Sequence, residues 1–155
     1  MRISRAAMFM EVADVVSKRA TCFRLNVGAV VTVDNRIVSM GYNGTPPRAD
    51  HCKGNACPGA DGCRLTIHAE DNALRYVPRG AGLLMKTLYV TDSPCLDCAQ
   101  LILKSRVSRV FFRTPYRDTA PLQLLWQKGV EVYQVMPSGI VIDWKTRQII
   151  EAETL

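Results

Sequence analysis

Four side chains in this sequence form a set able to hold a metal ion and move a proton. His68 and Glu70 lie two apart in His68-Ala69-Glu70, and Cys95 and Cys98 lie three apart in Pro94-Cys95-Leu96-Asp97-Cys98. Positions i and i+3 share a face of a helical turn, so the two sulfurs project together. A helix N-terminus favours thiolate over thiol, because its free N–H groups and partial positive charge stabilise the anion. One imidazole and two thiolates leave the fourth position of a tetrahedral zinc open, the arrangement of a catalytic ion rather than a closed structural one. Glu70, beside the metal but not bound to it, is the candidate catalytic acid–base. A carboxylate suits that task because it can accept a proton and return it in successive steps. Each motif alone has blander readings: a lone His-x-Glu arises by chance, and a lone Cys-x-x-Cys also suits a redox pair or half a structural zinc site. The joint occurrence, each motif opening its own predicted helix, favours the catalytic metal.

The elements that must position these residues follow from periodicity and punctuation. Ser4 is a candidate cap for a helix over about 5–19, whose apolar stripe includes Ala7, Met8, Met10, Val12, Val15 and Val16. A β-branched run over 27–33, the turn Asp34-Asn35 and the run 36–40 predict a hairpin. From Gly41 to Leu65 lies a loop rich in Gly, Pro and Cys, long enough to need a function or a metal to organise it. Helical spacing returns over 67–76, ending before Pro78. Strands are predicted over 88–91 and 107–112, with a helix over 95–104 between them. A helix over 121–127 closed by Gly129 and a core strand over 130–135 follow, with Ile140-Val141-Ile142 and Trp144 as a peripheral strand. Helix, hairpin, then alternating strands and helices predict an α/β mixed sheet with helices on both faces.

Composition narrows the class. At 155 residues the chain suits one domain with its own core. A hydrophobic content of 48% and a charged content of 22% exclude a mainly disordered, collagen-like or coiled-coil chain. No apolar run reaches the roughly 18 residues needed to span a bilayer. Arg2 and Arg5 precede a short apolar stretch that Glu11 and Asp14 interrupt, and no small-residue cleavage site follows. The expectation is a soluble, cytoplasmic protein whose first segment belongs to the fold. The net charge of +6 suits an anionic partner.

His-x-Glu paired with Pro-Cys-x-x-Cys is the signature of zinc deaminases acting on nucleobases. Further stretches make the chain resemble the deoxycytidylate (dCMP) deaminases and the related late-competence proteins. These are Val27-Gly28-Ala29-Val30-Val31, Gly41-Tyr42-Asn43-Gly44-Thr45-Pro46, Ile67 to Ala73, Ser93 to Ala99 and Pro115-Tyr116-Arg117-Asp118. The resemblance implies a cytidine-deaminase-like three-layer α/β/α fold with a five-stranded mixed sheet. It implies a single domain over 1–155 with a zinc-binding loop insertion over about 44–65. It implies hydrolytic deamination of dCMP, or of a 5-substituted dCMP, to the uridylate product and ammonia. In that chemistry zinc lowers the pKa of its water from near 16 to about 7. Glu70 takes the water proton, gives it to the ring nitrogen and helps ammonia leave.

The resemblance places Asn43 and Tyr116 in the substrate pocket, with Ala69 and Ser93 as further substrate-binding candidates. The lesser alternative for Asn43 is a turn residue in Asn-Gly, and Tyr116 reads equally as a half-buried aromatic with its hydroxyl in water. For the 5′-phosphate the candidates are Arg75, Arg79 and Arg117, with Arg79 favoured because it lies beyond the helix end. A homo-oligomer, commonly a hexamer, is implied, with dCTP and dTTP as effectors acting with Mg2+. Two departures from the pattern are Asp71, where an apolar residue is usual, and Ser105-Arg106 in place of a glycine-containing helix end. Without glycine, that helix is expected to end by a route other than the left-handed cap.

Cys22, Cys52, Cys57 and Cys63 remain. The resemblance matches Cys22 and Cys52 to ligands of a second, structural zinc, and the spacing of this sequence adds Cys57 and Cys63. His51 competes as a ligand, and buried free cysteines without metal are the alternative. Two other functions compete with a mononucleotide deaminase. Editing of nucleic-acid bases, as in tRNA adenosine deaminases, would want an arginine-rich or aromatic-basic surface that the sequence lacks. A non-catalytic zinc-stabilised binding module would have no need of Glu70.

Overall fold

The computed structural model describes residues 2–52 and 65–151. Helix α1 (Arg5–Ser17) starts at the N-cap Ser4, whose Oγ accepts the Ala7 N–H at 3.2 Å. Phe9, Met10, Ala13 and Val16 are buried at helical spacing, so α1 presents one apolar face to the sheet. The hairpin β1 (Gly28–Val33) and β2 (Arg36–Tyr42) turns at Asp34 and Asn35, both with positive φ (48° and 59°), the geometry that matches strand twist. The chain continues through α2 (Ala69–Arg75), a 3-10 turn at Arg79–Ala81, β3 (Lys86–Asp92), α3 (Leu96–Lys104) and β4 (Val107–Thr114). It ends with α4 (Ala120–Gln127), β5 (Glu131–Val135), β6 (Val141–Asp143) and β7 (Ile149–Ile150).

The strands form one sheet in the order β2-β1-β3-β4-β5-β6-β7. β3, β4 and β5 are parallel and the remaining pairings antiparallel, so the sheet is mixed. It has seven strands rather than the five expected. The additional pair, β6 and β7, consists of three- and two-residue strands in the tail, too short for alternation to declare both.

Helices cover both faces. On the first lies α1, over Tyr89, Phe111 and Tyr133, which occupy the same register on β3, β4 and β5. Phe9 joins this row, and successive ring centroids are 5.0, 4.8 and 4.9 Å apart. On the second face, Leu88, Val90, Val110 and Phe112 pack against Ala69 and Ala73 of α2, Ile102 of α3 and Leu122 and Leu125 of α4. This face carries the site. A side chain at Gly41 of β2 would collide with backbone atoms of Ala69 and Ala73, so glycine lets α2 lie directly on the strand. Hydrogen bonds from Ser39 Oγ to Ala73 O (2.6 Å) and from Asn72 Nδ2 to Tyr42 O (2.8 Å) then lock α2 in place.

Helix α3 departs from expectation. Ser105 caps it and Arg106 adopts φ of 56°, so the chain uses the left-handed ending although no glycine is present. Among the described residues no helix is long and apolar enough to cross a membrane.

Candidate active site

The helices α2 and α3 begin side by side, and the local sequence fixes where each begins. A two-bond bridge between Gly44 and Ile67 (3.1 and 2.8 Å) holds the chain extended just before α2. His68 is therefore an N-cap, with φ −71° and ψ 153°, not part of the helix as the 67–76 periodicity suggested. Cys95, after Pro94, is likewise the N-cap of α3, with φ −75° and ψ 176°. Neither side chain bonds the amides of its own helix. Both are turned to each other instead.

His68 Nδ1 lies 3.3 Å from Cys98 Sγ and 3.5 Å from Cys95 Sγ. The three ligand atoms all fall within 4.8 Å of one another. A tetrahedral zinc with bonds of about 2.05 Å to nitrogen and 2.3 Å to sulfur separates N from S by about 3.6 Å and S from S by about 3.8 Å. The donor set fits zinc in atom type and in spacing. Without metal, protons do the bridging. The hydrogen bond to Cys95 pushes the His68 imidazole up to about 9. A hydrogen bond with Cys98 holds the Cys95 thiol down at about 4, and the Cys98 thiol, bonded to Cys95 and buried, is driven far above its usual range. The three groups thus share protons in the space that they would offer a cation.

Glu70, in the first turn of α2, is 5% exposed. Burial pushes its carboxyl up to about 7, against the opposing pull of its own backbone N–H and of His68. It faces a cavity of about 860 Å³, within the range of small-ligand sites. His68, Cys95 and Cys98 line the same cavity.

The substrate candidates divide. Ala69, Ser93, Asn43 and Tyr116 all line the cavity. Ser93 Oγ accepts the Tyr116 N–H at 2.7 Å, tying the end of β3 to the loop after β4. The Asn43 amide is engaged with backbone: its oxygen accepts the Val27 N–H and its nitrogen donates to Leu25 O, both at 2.7 Å. Asn43 therefore braces the 25–27 segment as a wall of the cavity.

Arg79 is not brought to the cavity. α2 runs away from its N-terminal His68 for about 10 Å, and Arg79 follows its far end. Arg75 is bonded to Asp71 on the helix surface at 2.8 and 3.0 Å, and neither it nor Arg117 lines the cavity. The unusual Asp71 charge is thereby accounted for.

Sequence reasoning missed Arg24, which lines the cavity, and Asp92 at the end of β3. Asp92 was findable: Leu88 and Val90 face the catalytic side, and alternation carries residue 92 to the same side. Of the loop cysteines, Cys22 and Cys52 carry partly buried free thiols, and Cys57 and Cys63 lie outside the described residues.

A family model described as the cytidine and deoxycytidylate deaminase zinc-binding region matches residues 3–114. ComE operon protein 2 of Bacillus subtilis is 35% identical over 150 residues, covering 95% of this chain and 79% of that protein. The deoxycytidylate deaminase of Schizosaccharomyces pombe is 35% identical over 146 residues, covering 88% of this chain but only 45% of that longer protein. Among solved structures, the dCMP deaminase of cyanophage S-TIM5 in complex with dCMP and dUMP matches with a TM-score of 0.70 and 34% identity. That match covers 82% of this chain and 93% of the phage chain.

Proposed function

Because the chain belongs to the cytidine and deoxycytidylate deaminase family, we propose that it hydrolyses dCMP, or a 5-substituted dCMP, to the uridylate product and ammonia. The observation that carries this reading is the convergence of His68 Nδ1, Cys95 Sγ and Cys98 Sγ beside a buried carboxyl. Zinc held by those three residues supplies, when bound, a water acidic enough to act as nucleophile at neutral pH. The chain's own residues do the rest. Glu70 takes a proton from the attacking water as its oxygen joins C4 of the ring, and delivers it to the ring nitrogen N3. A second proton passes through the same carboxyl to the amine as the C4–N bond breaks and ammonia leaves. A group held at about 7 by burial suits both directions of transfer at neutral pH.

Asn43 fixes the 25–27 wall, Ser93 holds the Tyr116 loop against the cavity, and Ala69 lines the cavity next to Glu70. For the 5′-phosphate, Arg24 joins Arg79 as a candidate, since it is an arginine among the residues that line the cavity.

The proposal extends to a structural zinc held by Cys22, Cys52, Cys57 and Cys63, because four thiolates make a closed tetrahedral site. It extends also to a cytoplasmic homo-oligomer, a hexamer, that answers to dCTP and dTTP with Mg2+; this part rests on the family resemblance alone. Ammonia release from dCMP, dCTP, deoxycytidine and a cytosine-containing oligonucleotide tests the central reading. dCMP should be the preferred substrate. Release from the oligonucleotide or the nucleoside but not from dCMP, or from none of the four, would overturn it.

A further inference from the structure

Asp92 ends β3 on the catalytic face and lines the cavity with Glu70, Cys98 and Tyr116. Its position is fixed by a short relay: the Gly28 N–H donates to Thr91 Oγ1 at 3.2 Å, and Thr91 Oγ1 donates to Asp92 Oδ2 at 2.9 Å. The hydroxyl of Thr91 has one proton, so this bond commits it to Asp92. Among the described residues, no Lys, Arg or His forms an ion pair with Asp92, and Oδ1 accepts no hydrogen bond. Burial raises the carboxyl pKa and the neighbouring Asp14 carboxylate raises it further.

A carboxylate is an acceptor only, and Asp92, half-buried in the cavity lining with one oxygen unengaged and no cation paired to it, offers a lone-pair site to a donor that enters the cavity. A phosphate cannot be that donor, because it is an anion. A pyrimidine nucleotide does carry suitable groups: the N–H of its amine and the O–H of its sugar. Resting on the dCMP reading above, we propose that Asp92 is a substrate-binding residue that accepts a hydrogen bond from an N–H or O–H of the nucleotide. It sets substrate preference at that group. Thr91 is then a positioning residue, aiming Asp92 from the opposite face of the strand.

Steady-state kinetics of the zinc-loaded wild type, Asp92→Asn and Asp92→Ala on dCMP and on its 2′,3′-dideoxy analogue test this. If the sugar hydroxyl is the donor, the wild type should prefer dCMP at least tenfold in kcat/KM and Asp92→Ala should lose that preference. Its activity on the dideoxy analogue should change less than twofold. A loss of local structure would instead lower both substrates together. If the amine is the donor, Asp92→Ala should lower kcat more than tenfold on both substrates with zinc content and melting unchanged. Asp92→Asn, which keeps an acceptor oxygen, should then recover most of that loss. Either pattern supports the proposal. Asp92→Ala within twofold of wild type on both substrates, or equal losses in both variants accompanied by loss of zinc, overturns it. A wild type inactive on dCMP would refute the function itself, a result distinct from these.

Discussion

Strand β3 has a buried ionisable group near each end, and the two are treated in opposite ways. At its amino end Lys86 is 3% exposed, and its Nζ donates to Gly82 O, Leu84 O and Ser105 O at 2.7, 2.8 and 3.0 Å. Three donors meet three acceptors, so the ammonium is saturated and welds the turn before β3 to the end of α3. Beyond its carboxyl end Glu70 is almost as buried, yet its neighbours are His68 and Cys98, groups that give up their protons when a cation takes their place. A saturated buried charge holds a fold together. A buried charge among exchangeable protons is poised to act, and stability is lower for it.

The largest expected effect breaks the poised end without touching the other. Glu70→Gln should retain zinc and its melting temperature while losing about a thousandfold or more in kcat, the scale of a lost acid–base. Activity and zinc content measured on one preparation check this. At the saturated end, Lys86→Met removes three hydrogen bonds from a buried ammonium to backbone carbonyls and should cost about 1–3 kcal/mol of stability. Per folded molecule, kcat should stay within twofold, since the seven residues of β3 place Lys86 roughly 20 Å from the reacting end. Denaturant titration and active-site-normalised rates separate the two effects.

The pH dependence of the metal-free protein sharpens the contrast. Folded protein holds the Glu70 proton up to about pH 7, whereas the unfolded chain releases it near 4.5. The contribution of the neutral carboxyl is therefore fully present below about pH 4.5 and is lost as pH rises through 7. Glu70→Gln is neutral throughout, so metal-free variant and wild type should be equally stable near pH 4. By pH 8 the variant should be ahead by up to about 3 kcal/mol. The smallest effect is at Arg106, whose left-handed backbone costs a non-glycine residue about 1 kcal/mol. Arg106→Gly recovers that strain, less the entropy glycine loses on folding, and should stabilise by about 0.5 kcal/mol without changing activity.

The poised end was far more legible in the sequence than the saturated one. His68, Glu70, Cys95 and Cys98 are confined to two short motifs whose residue types leave few chemistries open, and helix starts are marked by Pro94 and by the end of a loop. Arg24 could not be found that way. It sits in a stretch with no periodicity, and its place depends on Asn43 binding Leu25 and Val27 across 16 to 18 residues. Arg79 lies outside the cavity lining because proximity in sequence to the catalytic helix is proximity to its far end. Lys86 was unreadable for the same reason as Arg24: its acceptors come partly from Ser105, 19 residues away. Arg106 shows that a helix can end left-handed without glycine when strand pairing recovers the strain; its carbonyl accepts the Lys86 N–H at 3.1 Å.

Anomalous diffraction at the zinc edge from crystals of the zinc-loaded protein tests the central claim most directly. A peak should appear bounded by His68 Nδ1, Cys95 Sγ and Cys98 Sγ, about 2.0–2.1 Å from the nitrogen and about 2.3 Å from each sulfur. A map without density for an ion there, or with the two sulfurs joined to each other, would contradict it.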